Sequence, residues 1–243
     1  MFYITNTTTM KNTLLTYFNQ RLSDEKLSEE KKGIPGPVIT ISREVGCNGV
    51  KFAKKLATYI NEKKIYSEWK VLSKEIFHES AKELDMEPEK VRSIFKQDDS
   101  YTLNDILKAF GNRRFKSTQK ITRTVKDVIR TLAINGFCII VGRAGHIIAH
   151  DIKNALHLRM VAPLEYRIKT IMENNQLNRE EAINFIFKVE KERKAFRNAI
   201  GNVSMEEDLF DLFINRSSFS DQDTLELILQ AAEKKNIFKD YQH

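Results

Sequence analysis

The sequence predicts an α/β fold in which a parallel sheet of about five strands lies between layers of helices. Apolar, β-branched runs alternate along the chain with amphipathic helical segments, which is the order that a doubly wound sheet requires. One run, residues 137–141, is apolar on both faces, as expected for a strand buried between two helix layers. The chain has 243 residues, of which 41% are hydrophobic, so it can bury a substantial core.

The first half of the predicted order begins with a β-branched strand over residues 38–42 and a helix over residues 48–61. A short strand follows at residues 69–72. Residues 73–116 are predicted to be helical and charged, which makes them an insertion between the second and third strands. A long helix over residues 118–134 has apolar side chains at helical spacing along one face and returns the chain to the sheet.

The apolar run at residues 137–141 is the predicted third strand, and a fourth strand follows over residues 155–161. Asn178 to Glu181 has the spacing of a capping box, which predicts the start of a long helix that ends near residue 200. The last strand is predicted at residues 209–215, and Ser220 is expected to cap the final helix.

The chain is predicted to consist of an N-terminal extension and linker, residues 1–37, followed by one domain, residues 38–243. Two prolines and two glycines within residues 33–37 mark the linker. No basic segment precedes an apolar run at the N-terminus, so no secretory signal is predicted. No apolar run approaches the ~20 residues that a membrane span needs, so no membrane partner is expected.

Charge and cysteine content limit the possible partners and compartment. The formal net charge of +7 and the isoelectric point of about 9.2 favour anionic partners, although 33 acidic residues are interspersed with the 40 basic ones. Cys47 and Cys138 lie far apart and offer neither metal-ligand spacing nor a disulfide framework. The five histidines form no metal motif, so no metal-ligating residue is predicted. A reducing, cytoplasmic compartment is expected.

The turn after the first strand is a candidate phosphate-binding loop, because Gly46 and Gly49 allow close backbone approach at the start of a helix. The standard loop reads Gly-x-x-x-x-Gly-Lys-Ser/Thr. Here Arg43 and Asn48 stand at the two glycine positions, and Gly49 stands where the lysine would be. Lys51, in the first turn of the helix, could reach a bound phosphate or face solvent. A strand-to-helix turn without a ligand is the alternative interpretation.

Arginines follow three of the predicted strands, as Arg43, Arg143 and Arg216. Because the carboxyl ends of parallel strands meet at one edge of the sheet, these positions predict a positively charged crevice there. Arginine binds phosphate as a planar, bidentate fork, although a purely structural role at the sheet end is also possible. Arg193 and Arg197 belong to a basic stretch of the long helix, which is either a solvated face or a lid that neutralises a phosphoryl group.

Several segments together resemble the cytidylate kinase-like family, a branch of the P-loop nucleoside monophosphate kinases. The resemblance covers residues 38 to about 236 and rests on five segments: 39–49, 139–145, 162–167, 188–193 and 211–215. It implies a P-loop kinase-type three-layer fold with a helical nucleoside-monophosphate-binding insertion at about residues 73–116 and a helical lid at about residues 178–200. It also implies transfer of the ATP γ-phosphoryl group to CMP or a related monophosphate, with Mg²⁺.

The resemblance also implies roles for individual residues. The loop residues would bind the ATP phosphates, and Arg143 would meet the acceptor nucleotide. Arg193 and Arg197 would be lid arginines with a catalytic role. The predicted ATP-binding residues are Arg43, Gly46, Cys47, Asn48 and Gly49.

The chain departs from the kinase pattern at the loop lysine, at the Ser/Thr that follows it, and at Ala144, where the family's cytidylate kinases carry Asp. We hypothesise that Lys51 replaces the loop lysine, with Arg43 as another source of charge, and that Arg143 grips the acceptor phosphate. A nucleotide-binding regulatory or interaction protein that has lost catalysis is the alternative. A nucleic-acid partner is not expected, because no nucleic-acid-binding module is present.

Overall fold

A computed structural model of the chain describes residues 35–63, 67–73, 118–201 and 206–241. All of them belong to one compact unit, Pro35–His243. Within these residues, five parallel strands form one sheet in the order β2-β3-β1-β4-β5. The strands are β1 (Val38–Arg43), β2 (Lys70–Leu72), β3 (Cys138–Val141), β4 (Ala155–Val161) and β5 (Leu212–Asn215). The expected α/β fold with a central parallel sheet is confirmed.

Helices and short turns connect the strands. Among the described residues the helices are α1 (Gly49–Glu62), α2 (Thr118–Asn135), α3 (Gly145–Ile148), α4 (Leu164–Asn175), α5 (Arg179–Ile200) and α6 (Asp221–Lys234). Short 3₁₀ turns occupy Glu206–Leu209 and Lys239–Tyr241. None of the helices in the described ranges is long and apolar enough to cross a membrane.

The sheet has a helix layer on each face. Buried residues of α1 and α6 pack with alternate residues of the strands, such as Ile39 and Leu158, in the main apolar core. The opposite face of the sheet meets α2 and α3: the Cys138 thiol donates to the Leu132 carbonyl at 3.5 Å, and the Gly145 backbone lies against Ile140. These are the three layers expected of a kinase-type α/β fold.

The central strand β1 fixes the position of the loop that follows it. It pairs in parallel with β3 on one side and with β4 on the other, and Ile41 lies opposite both Val141 and Leu158. The connection after β1 therefore leaves the sheet between the carboxyl ends of its two neighbours. Such a switch point is where open α/β sheets bind their ligands.

Local signals in the sequence predicted most of these elements within one or two residues. The capping box at Asn178 is formed, with the Glu181 N–H donating to the Asn178 Oδ1 at 3.0 Å. Ser220 caps α6 as predicted, by accepting from the Asp223 N–H at 3.1 Å. The last strand is shorter than residues 209–215, because a 3₁₀ turn holds the chain up to Leu209 and pairing with β4 begins at Leu212.

The predicted linker meets the sheet before Val38. The Gly36 N–H donates to the Ile134 carbonyl at 2.8 Å, and the Pro37 carbonyl accepts from Phe137. The Gly36 and Gly136 backbones touch, since a Cβ on Gly136 would lie 2.3 Å from the Gly36 Cα. Residues 1–34, and all of the predicted insertion at residues 73–116 except Ser73, lie outside the described residues, so those boundaries remain predictions.

Candidate functional site

The turn between β1 and α1 has the backbone geometry of an anion-binding loop. Gly46 has φ +93°, and Asn48 adopts a left-handed conformation with φ 50° just before the helix. The Asn48 side chain does not cap the helix but accepts from the Asn174 amide of α4 at 2.8 Å. The first N–H groups of α1, from Gly49 onward, therefore lack both an intrahelical acceptor and this side-chain cap. Such N–H groups are suited to phosphate oxygens.

The loop is held from behind by α4 and α5. Val45 is buried in a small apolar cluster with Ile168 of α4 and Ile186 of α5. The Gly46 backbone lies so close to α4 that a Cβ there would be 2.7 Å from the Arg167 Cα. Glycine is therefore required at position 46 by this contact as well as by the positive φ.

An ion-pair network connects the same loop to both helices. Arg167 of α4 donates to the Glu190 carboxylate of α5 at 2.6 Å, and its Nε lies 3.5 Å from the Glu44 carboxylate. The Val45 N–H donates to the same Glu190 oxygen at 3.3 Å. Because Arg167 is largely buried, this network fixes the loop against α5 more firmly than an exposed pair would.

A cavity of about 230 Å³, which we call the loop cavity, opens over the turn. The predicted residues Arg43, Gly46, Asn48, Gly49 and Lys51 all line it. Its other walls come from the loop, α4 and α5: Glu44, Val45, Val50, Ile171, Asn174, Asn175, Phe185, Val189 and Arg193. The turn and the start of α1 thus form one wall, and side chains of α4 and α5 form the other.

A second, smaller cavity of about 30 Å³, which we call the arginine cavity, lies at the ends of β1 and β3. Its lining residues are Ser42, Arg43, Gly142, Arg143, Ala144, His146, Arg193, Phe196 and Arg197. Arg43 and Arg193 line both cavities, so the two spaces adjoin at these side chains. The structure therefore brings Arg43, Arg143, Arg193 and Arg197 together, although β1, β3 and α5 are distant in sequence.

Positive charge is concentrated where the cavities meet. Burial, and then the nearby Arg43, Arg159 and Arg197 guanidinium groups, lower the pKa of Arg193, while the Glu190 carboxylate opposes this effect. The Arg193 Nη1 donates to the Arg43 carbonyl at 3.2 Å. Because desolvated like charges repel one another, an anion bound here would stabilise the arginines.

Cys47 does not join the other loop residues at a cavity. Its side chain belongs to the main apolar core, and burial followed by the Glu44 carboxylate raises the pKa of its thiol to about 11. A thiol in this state is a poor nucleophile at neutral pH. Any contact of Cys47 with a nucleotide would involve its backbone.

Arg216 is also not part of the crevice, so the prediction that three strand-end arginines surround it is wrong at this position. Its buried side chain donates to the Thr224 hydroxyl at 2.9 Å and pairs with Asp221 at the start of α6. The guanidinium also lies 4.5 Å from the centre of the Phe52 ring. These contacts join α1 and α6 to the end of β5.

Three residues near the site were missed by sequence reasoning. Glu190, His146 and Arg159 were assigned no role at the site from the sequence. His146 is buried in the arginine cavity and stacks on Phe210 at 4.5 Å. Arg159 donates to the Ser42 hydroxyl at 2.8 Å. A charged residue inside the apolar strand 155–161 was the available signal for Arg159.

Comparison with known proteins agrees with this architecture. A model of the cytidylate kinase-like family matches residues 38–218. An uncharacterized protein from Eubacterium ventriosum ATCC 27560 is 22% identical with a TM-score of 0.58, covering 81% of this chain and 98% of its own. Its likeness concerns the fold.

Two shikimate kinases are more distant matches. The enzyme from Acinetobacter baumannii, solved in complex with shikimate, is 13% identical with a TM-score of 0.43, covering 84% of this chain and 95% of its own. The one from Bacteroides thetaiotaomicron is 9% identical with a TM-score of 0.43, covering 82% and 95%. No curated protein matches the chain.

Proposed function

The chain belongs to the cytidylate kinase-like family, and we propose that it transfers the γ-phosphoryl group of ATP to CMP or a related nucleoside monophosphate. The observation that carries this proposal is the meeting of two cavities at Arg43 and Arg193, one lined by a backbone anion loop and the other by arginines. Phosphoryl transfer needs positioning and charge stabilisation between a donor and an acceptor, and this arrangement supplies both.

The loop cavity is the proposed site of the donor. The N–H groups at the start of α1 would bind the ATP phosphates, and Gly46, Asn48 and Gly49 line this cavity. Lys51 is exposed at this cavity, where its ammonium group would add charge to the phosphate site. The apolar side chains of Ile171 and Val189 would adjoin the uncharged part of the nucleotide.

The arginine cavity is the proposed site of the acceptor phosphate. Arg143 and Arg197 line it together with the two shared arginines, and none of the lining residues in the described ranges is acidic. This charge favours an acceptor whose reacting group is itself an oxyanion. A phosphate acceptor ionised at neutral pH has no proton to lose, so Ala144 in place of Asp is compatible with the reaction.

Mg²⁺ would reduce the charge on the ATP phosphates in such a reaction. No Ser or Thr follows the loop at Val50, and the described residues include no group of three or more His, Cys, Asp or Glu side chains that could hold a metal. Phosphate oxygens and water, which are common Mg²⁺ ligands, would supply part of its coordination. The backbone N–H groups of the loop and the arginine guanidinium groups would orient the phosphates.

A nucleotide-binding regulatory or interaction protein is the second candidate. It is favoured by one observation, that Gly49 and Val50 replace the lysine and the hydroxyl residue of the standard loop. Under this alternative, ATP binds the loop cavity but is not turned over.

A coupled assay of ADP formation with each nucleoside monophosphate, beside calorimetric titration with ATP and Mg²⁺, separates the two candidates. The kinase proposal expects ADP formation that depends on the acceptor and is greatest with a pyrimidine monophosphate. ATP binding with no turnover for any acceptor would support the second candidate, and the absence of ATP binding would refute both. A matched Arg179→Met variant, at an exposed pair with Glu165, controls for the loss of a surface arginine.

A further inference from the structure

We propose that Arg43 supplies the charge that the missing loop lysine would supply, and that Gly49 and Gly142 form the slot that holds its side chain between the two cavities. The inference rests on the proposed phosphoryl transfer and names Arg43 as the side chain that supplies most of the positive charge for it. It also gives two glycines a role in placing a side chain, in addition to backbone approach to phosphate.

The course of the Arg43 side chain is defined by contacts with both glycines. Its stem passes over the start of α1, where a Cβ on Gly49 would lie 2.9 Å from the Arg43 Cγ and 3.2 Å from its Cδ. Its guanidinium ends against the turn after β3, where a Cβ on Gly142 would lie 2.0 Å from the Arg43 Nη1. A side chain at either position would displace Arg43 from this path.

This path places a cation where a transferring phosphoryl group would pass. Arg43 lines both cavities, whereas Lys51 lines the loop cavity alone and is exposed. Arg193 shares the boundary and donates to the Arg43 carbonyl at 3.2 Å, which fixes the backbone from which the Arg43 side chain begins. Arg43 is thus the arginine whose geometry depends on both the loop and the β3 turn.

The step that Arg43 would stabilise is an in-line displacement. The bond between the γ-phosphorus and the β,γ-bridging oxygen breaks, and a bond from an acceptor phosphate oxygen to the γ-phosphorus forms. ATP and the nucleoside monophosphate become ADP and a nucleoside diphosphate, with the bridging electron pair remaining on ADP. Arg43 keeps its proton throughout and neutralises charge on the equatorial oxygens.

A double-mutant cycle between Arg43 and Gly49 tests this placement. Gly49 is preferable to Gly142, because Gly142 has φ +72° and an added side chain there would strain the backbone in any case. We expect Arg43→Ala to lower kcat/KM by about 100-fold or more and Gly49→Ala by about 10-fold or more. In the double variant the two losses should be clearly less than additive, because the added Cβ then has no Arg43 side chain to displace.

A bridging ligand gives a second readout that needs no turnover. The probe is adenosine and cytidine joined by a pentaphosphate chain, titrated by calorimetry beside ATP and CMP alone. Arg43→Ala should weaken the bridging probe by at least 10-fold more than it weakens ATP, since the extra phosphates cross the junction. Arg43→Lys retains the charge on a shorter stem, so it should bind the bridging probe and ATP more tightly than Arg43→Ala does. Arg179→Met should keep the wild-type affinities for both.

The outcomes distinguish this inference from the proposed function. If the wild-type protein turns over and Arg43→Ala stays within about threefold of it, the role of Arg43 is refuted while the kinase proposal stands. Additive losses in the double variant would refute the slot. If the wild type shows no turnover, the kinase proposal fails, and binding of the bridging probe then tests the inference. Equal weakening of probe binding and ATP binding in Arg43→Ala overturns it. Weakening of probe binding alone supports the placement of Arg43 between the two cavities.

Discussion

Acidification to pH 5 should destabilise this protein through a single histidine of the central sheet. His157 lies on β4 opposite Thr40 of β1, and its Nδ1 is 2.8 Å from the Thr40 hydroxyl oxygen. Burial, partly offset by Asp211 and aided by Lys235, His146 and His150, lowers the pKa of His157 from 6.5 to about 4. His157 is therefore neutral in the folded protein at pH 7, while it would titrate normally in the unfolded chain.

The size of the effect follows from linkage. Between pH 6.5 and about 4 the unfolded chain binds a proton at this position that the folded protein does not, so stability falls as the pH falls. The full pKa difference corresponds to about 3 kcal/mol of unfolding free energy, of which about 2 kcal/mol is lost by pH 5. Above pH 6.5 the contribution of His157 is constant.

Urea denaturation at pH 7.5, 6 and 5 measures this loss. The fluorescence of Trp69 is a suitable signal, because it is the only tryptophan and is buried between Phe137 and Phe238. His157→Asn keeps a polar atom near Thr40 and should abolish the dependence between pH 7.5 and 5, whereas the exposed His150→Gln should retain it.

The reasoning would be refuted if the unfolding free energy of the wild type changed by less than about 0.5 kcal/mol over this pH range. It would also be refuted if the unfolding free energy of His157→Asn depended on pH as strongly as that of the wild type. The carboxylate of Asp221 contributes separately. A hydrogen bond from Lys55 and a weaker effect of one from Arg216 lower its pKa, while burial opposes them. Its stabilisation is lost only below its unfolded value of 3.8, so it does not affect the comparison at pH 5.

The other predictions concern the loop and the arginines. Gly46→Ala should lower the unfolding free energy by about 2 kcal/mol or more in urea denaturation, because φ is +93° and the added Cβ meets the Arg167 backbone; an unchanged midpoint would contradict this. Arg193→Met should leave the melting temperature without ligand unchanged or higher and reduce the rise produced by ATP, since it removes a desolvated cation; a full rise with ATP would exclude Arg193 from the site. Lys51→Ala and Arg143→Ala should each lower kcat/KM by more than about threefold, through the KM for ATP and for the acceptor respectively, and smaller changes would disprove those roles.

Local sequence patterns were sufficient for most of the described elements of this fold. Strands β1, β3 and β4 and the capped helices α5 and α6 were predicted because periodicity, capping residues and β-branching act within a few residues. The position of the candidate site followed from the same information, since a glycine turn after the first strand and arginines after other strands are local features. The family resemblance added the kinase-type topology, which the parallel sheet order matches.

Side-chain destinations depended on the tertiary structure. Arg43 ends β1 and Arg216 follows β5, yet Arg43 extends between two cavities and Arg216 is buried against α6. The difference arises because Gly49 and Gly142 leave space beside one of them, while Thr224 and Asp221 accept hydrogen bonds from the other.

The sequence by itself therefore determined which segments form strands and helices and that a loop with anion-binding geometry follows β1. The tertiary structure alone decided which charges meet there. The contacts of Glu190 with Val45 and of Arg193 with Arg43 join residues 145 and 150 positions apart. No local rule relates such residues, because their distance is set by the order of the strands and the packing of α4 and α5 against the loop.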